Sequence, residues 1–229
     1  MDADELFISI TSLICEPARA KMLWNLLDGR AYTASELAIV ADISATSASN
    51  HLSKLLDADV LKVEKQGRHR YYSFSTTEVA YAIEAMAQLA KINSKPIPGE
   101  KHIPVGIKYC RTCYDHLAGF VAVKIVESME QKGYLGKNGT GYIVTQDGWN
   151  WLAHFKIYEQ NYESNRRPLT RQCLDWSERR PHLAGQLGAD LLQAMLERKW
   201  FKKVEFTREL IMSLKGREEL YKLLGVVFQ

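Results

Sequence analysis

The sequence of 229 residues contains no apolar run of the ~20 residues that a helix needs to cross a bilayer. It also lacks the basic beginning of a secretory signal, because Asp2, Asp4 and Glu5 occupy that place. We therefore expect a cytoplasmic chain that has no membrane partner.

Cysteine is scarce, and the four present are Cys15, Cys110, Cys113 and Cys173. Thiols stay reduced in the cytosol, so we expect no framework of structural disulfides. The net charge of +3 is too small to indicate nucleic-acid binding by itself. We expect no enzyme, because the chain lacks a glycine-rich phosphate loop, a nucleophile elbow and a paired-histidine metal motif.

A stretch from Ser35 to Phe74 predicts a helix-turn-helix followed by a β-hairpin. The first helix is expected over Ser35–Val40, the turn at Asp42-Ile43, and the second helix from Ser44. Thr33 and Glu36 have the spacing of a capping box for the first of these helices. In the second helix, apolar residues at helical spacing are expected to face inward: Ala48, Leu52, Leu55 and Leu56.

The other face of the second helix carries small polar side chains, which can approach base edges and phosphates without steric conflict. We expect DNA contacts from Ser44, Thr46, Ser47, Ser49, Asn50, His51 and Lys54. The candidates for major-groove contact among them are Thr46, Ser47, Ser49 and Asn50.

The hairpin is expected as a strand over Val60–Glu64, a turn at Gln66-Gly67 and a return strand over Arg68–Phe74. Residues 1–95 contain ten Lys or Arg against twelve Asp or Glu, so this part of the chain is net negative. Because the module as a whole is acidic, a local basic patch within it indicates a defined binding site for nucleic acid. The alternative is an ordinary helical hairpin followed by an ordinary β-hairpin, neither of which contacts nucleic acid. The occurrence of both in one short stretch favours DNA binding. The side chains expected to contact phosphates or the minor groove are Lys65, Arg68, His69 and Arg70.

This stretch resembles the winged-helix module of the ArsR/SmtB repressor family. The residues that carry the resemblance are Ser44–Leu52 (SATSASNHL), Leu55-Leu56, Val60-Leu61 and Gly67–Tyr72 (GRHRYY), and it extends over about Leu6 to Ala90. It implies a homodimeric transcriptional repressor that binds double-stranded operator DNA and leaves it when a small effector of unspecified chemistry binds.

Three further helices are predicted around this module. Asp4–Cys15 has Leu6, Ile10, Leu13 and Ile14 on one stripe, and Thr76 to about Ile92 has Val79, Ile83, Met86, Leu89 and Ala90 on another. The resemblance implies that these two helices form the dimer interface; the alternative is that they pack only on their own module. The helix between them begins at Pro17 and is expected to turn inward Leu23, Trp24, Leu26 and Leu27.

The metal sites common in the resembled family find no ligands in this chain. The segment from Ser35 to Asp42 has no cysteine, and the predicted helix from Thr76 to Ile92 has neither histidine nor cysteine. We therefore expect no zinc, arsenite or cadmium at those places.

Proline and glycine are dense from Asn93 to Gly106, which indicates a boundary. We predict a DNA-binding and dimerisation domain at 1–93, a linker at 94–107, and an effector-binding or oligomerisation domain at 108–229. The predicted fold class is mainly α with a small β-wing, and the added domain is expected to be helical, winged-helix-like and internally repeated.

The repeat is indicated by His116–Gly119 (HLAG), which recurs as His182–Gly185. Each copy is expected to open an amphipathic helix, and a short β-like run and a second helix follow. The second helices are expected to begin near Thr145 and Ser213.

Cysteine and histidine cluster in this added domain. Cys110, Cys113 and His116 have metal-ligand spacing, and Cys173, Asp175 and His182 form a second half. If the repeat is real, His116 and His182 are equivalent and come near each other. The cluster offers ligands for a soft metal or thiols for a redox switch; the alternative is buried small side chains and histidines that bond the chain at helix starts.

The segment from Cys173 to His182 has two interpretations. One is an effector pocket with Trp176 as a wall and Arg179 or Arg180 facing an anionic group. The other is a structural element in which Asp175 or Glu178 pairs with arginine to fix the entry into the next helix. The function predicted for the whole chain is a sequence-specific DNA-binding regulator; the alternative is a cytosolic thiol- or metal-binding protein, or a redox sensor, that uses Cys110, Cys113 and Cys173.

Overall fold

A computed structural model of the protein describes residues 2–89, 104–162 and 167–228. The chain divides into two compact units, one within residues 1–90 and one within 91–229. None of the helices described in these ranges combines the length and the apolar character required to span a bilayer. Most of the predicted linker at 94–107 lies outside the described residues.

Over residues 2–89, the first unit combines five helices with a three-stranded antiparallel sheet in the order β1-β3-β2. The helices are α1 (Ala3–Ile14), α2 (Pro17–Leu26), α3 (Ala34–Ala41), α4 (Ala45–Asp57) and α5 (Thr77–Leu89). The strands are β1 (Tyr32–Thr33), β2 (Leu61–Gln66) and β3 (His69–Phe74). This is the predicted helix-turn-helix with its wing.

Local side-chain bonds set the ends of the two central helices. Thr33 and Glu36 form the predicted capping box at the start of α3. Asp42 ends α3 in the left-handed conformation, with φ of 59°, which turns the chain sharply toward α4. Ser44 caps α4 by accepting a hydrogen bond from the Ser47 amide.

The core of the first unit agrees with most of the predicted apolar pattern, and three details differ. Leu56 is only partly buried, because α4 turns Ala48, Leu52 and Leu55 inward. Trp24 is 38% exposed, although it was expected to face inward with its neighbours on α2. The wing turn lies one residue later than predicted, since Gln66 pairs with His69 around Gly67-Arg68.

The two outer helices of this unit leave large apolar side chains in solvent. None of the residues of α1 is buried, and Phe7 is 69% exposed. On α5, Ile83 is buried while Leu89 is 66% exposed. An apolar hollow lies beside them and is lined by Ile14, Cys15, Ala20, Leu23, Trp24, Ile83 and Met86.

The second unit contains the same series of elements twice, in the order hairpin, helix, hairpin, helix. The first repeat comprises β4 (Arg111–Cys113), β5 (His116–Ala118), α6 (Phe120–Gln131), β6 (Leu135–Asn138), β7 (Gly141–Val144) and α7 (Gln146–Leu152). The second comprises β8 (Arg171–Leu174), β9 (Pro181–Ala184), α8 (Gly185–Glu197), β10 (Phe201–Lys203), β11 (Leu210–Met212) and α9 (Leu214–Leu224). The internal repeat predicted from HLAG is therefore present in the fold.

Equivalent glycines explain part of the HLAG match. Gly119 and Gly185 have φ of 88° and 86°, a region that residues with a Cβ rarely adopt. A Cβ at Gly119 would lie 2.8 Å from the Lys108 carbonyl oxygen, and one at Gly185 would lie 2.7 Å from that of Leu169. Each glycine thus lets a helix begin against the chain that leads into its own first hairpin.

One expectation about the repeat was wrong. His116 and His182 lie on strands β5 and β9, before the helices that they were expected to open. Each faces a cysteine of the preceding strand, with Cys113 paired to His116 and Cys173 paired to His182. Over its described residues, the expected helical domain therefore carries four small hairpins among its helices.

Candidate DNA-binding face and cysteine–histidine cluster

Helix α4 presents a polar surface opposite its buried stripe. Thr46, Ser49, Asn50 and Lys54 are exposed, and Ser47 is partly exposed. The hydroxyl of Ser49 donates a hydrogen bond to the Ala45 carbonyl at 3.0 Å, which leaves its oxygen as an acceptor toward solvent. The spacing predicted from the sequence thus places these side chains on one accessible face.

Two of the predicted contact residues have structural partners. Ser44 holds the start of α4, so its hydroxyl accepts the Ser47 amide at 3.2 Å. His51 is mostly covered, and its Nδ1 lies 3.1 Å from Arg19 and 3.4 Å from Glu16 on α2 or its cap. His51 therefore joins α4 to α2 and to its N-terminal cap.

The wing carries an unusual concentration of positive charge. Lys65, Arg68, His69 and Arg70 are all exposed, and Lys65 lies directly opposite Arg70 across the hairpin. Like charges in facing positions destabilise a hairpin. An anionic partner such as a phosphate backbone would remove that cost, since it would neutralise both side chains.

In the second unit, the two repeats bring Cys113, His116, Cys173 and His182 together. One sulfur or nitrogen of each lies within 4.8 Å of the others. The two sulfurs are 3.8 Å apart, and the two Nε2 atoms are 3.1 Å apart. As the repeat predicted, the two histidines are neighbours, although Cys110 packs in the hydrophobic core and takes no part in the group.

Charged side chains surround this cluster in a paired arrangement. Asp115 Oδ1 lies 3.1 Å from His116 Nδ1, and Asp175 Oδ2 lies 3.4 Å from His182 Nδ1. Arg167 pairs with Asp115 at 2.7 Å and Arg111 pairs with Asp175 at 2.8 Å. Each repeat thus supplies one aspartate, two residues after its cysteine.

The pKa values follow from these contacts. Burial would lower the pKa of His116, but Cys113 and Asp115 favour the cationic ring and raise it to about 9. Burial would raise the pKa of Asp175, but Arg111 and His182 together hold it below its usual range. Burial raises the pKa of Cys110 well above its usual value, which keeps that thiol neutral.

The segment after Cys173 contains a carboxylate–arginine pair of the kind that the sequence offered as one alternative. Asp175 is buried and bonds Arg111 of the first repeat, whose guanidinium also lies 4.3 Å from the centre of the buried Trp176 ring. Asp175 also accepts the Gly119 amide at 2.7 Å. Arg179 and Arg180 remain exposed. Sequence reasoning missed Arg111, because nothing local marks its partner 64 residues away.

The first unit defines the class of protein: a winged helix-turn-helix, with an exposed polar recognition helix and a basic wing. A family model described as a helix-turn-helix domain matches residues 15–64. The chain is 40% identical over 220 residues to the uncharacterized HTH-type transcriptional regulator YdfF of Bacillus subtilis (strain 168), covering 95% of this chain and 96% of that protein.

Two further similarities each extend over little more than a third of the chain. The transcriptional repressor SdpR of the same organism is 36% identical over 78 residues, which is 34% of this chain and 86% of SdpR. The solved winged helix-turn-helix domain of Mb0332 from Mycobacterium bovis, a possible ArsR-family regulator, is 18% identical with a TM-score of 0.35 and covers 38% of this chain and 80% of that one. The chain belongs to the family of HTH-type transcriptional regulators, and the predicted identity as a winged helix-turn-helix regulator with an enlarged C-terminal domain is confirmed.

Proposed function

We propose that this DNA-binding regulator is a homodimeric repressor whose α4 helices enter the major groove while its wings contact the flanking backbone. The observation that carries the proposal is the exposed polar face of α4 beside a wing with facing like charges. Helices of this kind contact base edges, and basic hairpins of this kind contact phosphates. Thr46, Ser47, Ser49 and Asn50 are assigned to bases, and Lys65, Arg68, His69 and Arg70 to the backbone or minor groove, with Lys54 at the margin.

A second copy of the chain is the proposed cover for the outer helices. Leu6, Phe7 and Ile8 are exposed on α1, and Leu89 is exposed on α5. An apolar surface of this kind is costly in water and marks an interaction site. A two-fold pair would place two recognition helices on successive major grooves of a pseudo-palindromic operator.

Repression follows the name of SdpR, to which the chain is similar over 78 residues. We assign effector sensing to the second unit and place the protein in the cytoplasm, where its DNA partner would be. The residues proposed for contact with an effector are Trp176, Arg179 and Arg180 beside the cysteine–histidine cluster. The other residues expected from the sequence are engaged elsewhere, since Cys110 lies in the core, Asp175 pairs with Arg111, and the four cluster residues contact one another. Since Trp176 lies against Arg111, an anionic effector would have to displace an intramolecular contact there.

Selection of bound fragments from genomic DNA by the full-length protein tests the proposal. The expected result is a pseudo-palindrome whose half-sites lie about one helical turn, roughly 10 bp, apart or a multiple of it. Transcription from a promoter that contains this site should rise when the gene for this protein is deleted. Binding without sequence preference, or a single unpaired half-site, would contradict the proposal.

A further inference from the structure

We infer that Cys113, His116, Cys173 and His182 bind one zinc ion, which joins the two repeats of the second unit. The proposal concerns the integrity of this unit and does not depend on the proposed repressor function. None of its ligands comes from α3 or α5, since neither helix contains a cysteine or a histidine.

The topology of the ligands is that of a built site. Each repeat contributes one cysteine and one histidine that face each other across a two-stranded hairpin, Cys113 with His116 and Cys173 with His182. A hairpin fixes the positions of both side chains before the ion arrives. Because the repeats are related to each other, the two pairs meet at one point between them.

The distances fit a tetrahedral zinc site. With Zn–S of about 2.3 Å and Zn–N of about 2.0–2.1 Å, a tetrahedron separates two sulfurs by about 3.8 Å and two nitrogens by about 3.3 Å. The observed separations are 3.8 Å for Cys113 and Cys173 and 3.1 Å for the two histidine Nε2 atoms. Two sulfurs at this distance are far from the ~2.05 Å of a disulfide.

The histidines are placed to hold a cation between their rings. The Nδ1 atoms of His116 and His182 lie 3.1 and 3.4 Å from carboxylate oxygens of Asp115 and Asp175, which accept hydrogen bonds and cannot donate them. The two Nε2 atoms lie 3.1 Å from each other in one buried volume. A bound metal ion would replace this contact and the proton that it holds, and would leave both rings neutral. Carboxylates behind metal-bound histidines are a common way to orient such rings.

The charge balance also favours a divalent ion of the zinc type. Two thiolates and two neutral imidazoles cancel the two charges of Zn²⁺, and the thiols release their protons when they bind. The aspartates behind the rings are neutralised separately, since Arg167 pairs with Asp115 and Arg111 with Asp175. The whole group is then neutral, which suits its burial. Sulfur and imidazole ligands exclude calcium and magnesium, which prefer oxygen.

The number of ligands assigns a structural role to the ion. Four protein side chains complete a tetrahedron and leave no position for water or substrate, which is the pattern of structural zinc sites. His116 and His182 are fully enclosed, so exchange with solvent ions should be slow. The ion would link β4–β5 to β8–β9 and hold the repeats in register.

Elemental analysis of the untagged full-length protein tests the proposal directly. We expect about one zinc per chain, and less than a tenth of that in Cys113→Ser with Cys173→Ser. Cys110→Ala is the matched control, because Cys110 is, like Cys113, a buried thiol of the same unit, and it lies outside the cluster. Cys15→Ser removes an exposed thiol of the first unit. Both controls should keep the full metal content.

Cobalt substitution of the unaltered protein keeps the test independent of how the variants fold. Co²⁺ bound by two thiolates and two imidazoles should show thiolate charge-transfer absorption and the intense visible bands of tetrahedral coordination. A chain that is purified without metal and takes up no Co²⁺ would overturn the proposal. So would metal retained by the double serine variant, a cobalt spectrum without thiolate bands, or a Cys113–Cys173 disulfide in protein purified under reducing conditions.

Discussion

Asn50 is the exposed amide on the polar face of α4, where its neighbours Thr46, Ser47 and Ser49 carry hydroxyl groups. An amide places a donor and an acceptor on separate atoms, which lets it pair with both N6 and N7 of adenine in the major groove. A hydroxyl offers one oxygen for both roles and is less selective. The sequence preference of the protein should therefore depend most on this residue.

Asn50→Ala should relax the preference at one position in each half-site. The loss of a bidentate contact is expected to cost about 1–3 kcal/mol of discrimination, which is roughly a 5- to 150-fold change in relative affinity. Competition binding against a set of single-base operator variants measures it. Asn150→Ala removes an exposed helical amide from the second unit and should change nothing. Equal weakening on every sequence would reassign Asn50 to the DNA backbone.

Single residues were predictable from the sequence where local rules decide their environment. Ser44 and the Thr33–Glu36 box followed from capping preferences, and Ala48 from helical spacing. His51 was not predictable in the same way, because its environment is set by Arg19 and its partner Glu16, more than thirty positions earlier. Periodicity assigns a face of a helix and cannot identify what packs beside that face.

At the scale of elements, the wing should contribute affinity without much selectivity. Arg68→Ala with Arg70→Ala should weaken binding to all duplexes and reduce the slope of log K against log salt by up to roughly two units, since each lost phosphate contact removes about 0.9. Titration at several salt concentrations measures the slope. Lys137→Ala with Lys202→Ala removes two positive charges from hairpins of the second unit and is the control. An unchanged slope in the arginine variant would exclude the wing from the interface.

The capping box should hold α3 in place beneath the recognition helix. In the unaltered chain the Glu36 amide donates a hydrogen bond to the Thr33 hydroxyl oxygen at 3.3 Å. Thr33→Ala removes this acceptor, so the free energy of unfolding of the first unit should fall by about 1 kcal/mol. Thermal unfolding followed by circular dichroism would detect the lower midpoint. Thr46→Ala, at an exposed threonine of α4, should leave the midpoint unchanged or raise it slightly, because alanine is the better helix former. Equal midpoints for Thr33→Ala and the unaltered chain would contradict this role.

Elements were predictable in proportion to their length. The helices of the first unit and the repeat in the second were indicated by periodicity and by the HLAG match. Strands such as β4 and β5 have three residues each, which is too few to show an alternating pattern. Their cross-strand pairing of Cys113 with His116 therefore became visible only in the fold, and with it the grouping of the ligands.

At the scale of the whole molecule, self-association should depend on the apolar surface of α1. Phe7→Glu places a charge at a side chain that is 69% exposed, so the folded monomer should be unaffected while the proposed dimer separates. Sedimentation velocity should show a single species of about half the mass. DNA binding should weaken strongly, because two half-sites would no longer be bound together.

Ile143→Glu is the matched control, since Ile143 is 55% exposed on β7 of the second unit. This variant should keep the mass and the DNA affinity of the unaltered protein. If Phe7→Glu sediments as the unaltered chain does, α1 is not the dimer interface. If both variants lose the dimer, the interface extends to the second unit.

The aspartate of each repeat is held by an arginine from elsewhere: Arg111 of the first repeat bonds Asp175, and Arg167, just before the second repeat, bonds Asp115. The backbones of the two repeats are bonded to each other as well. The Thr112 amide donates to the Arg208 carbonyl, and the Gln172 amide donates to the Thr140 carbonyl. During synthesis on the ribosome, the first repeat therefore emerges long before its partners exist. Its polar groups must remain hydrated until the last hairpin has left the exit tunnel, so this half of the chain completes its folding only after translation has nearly ended.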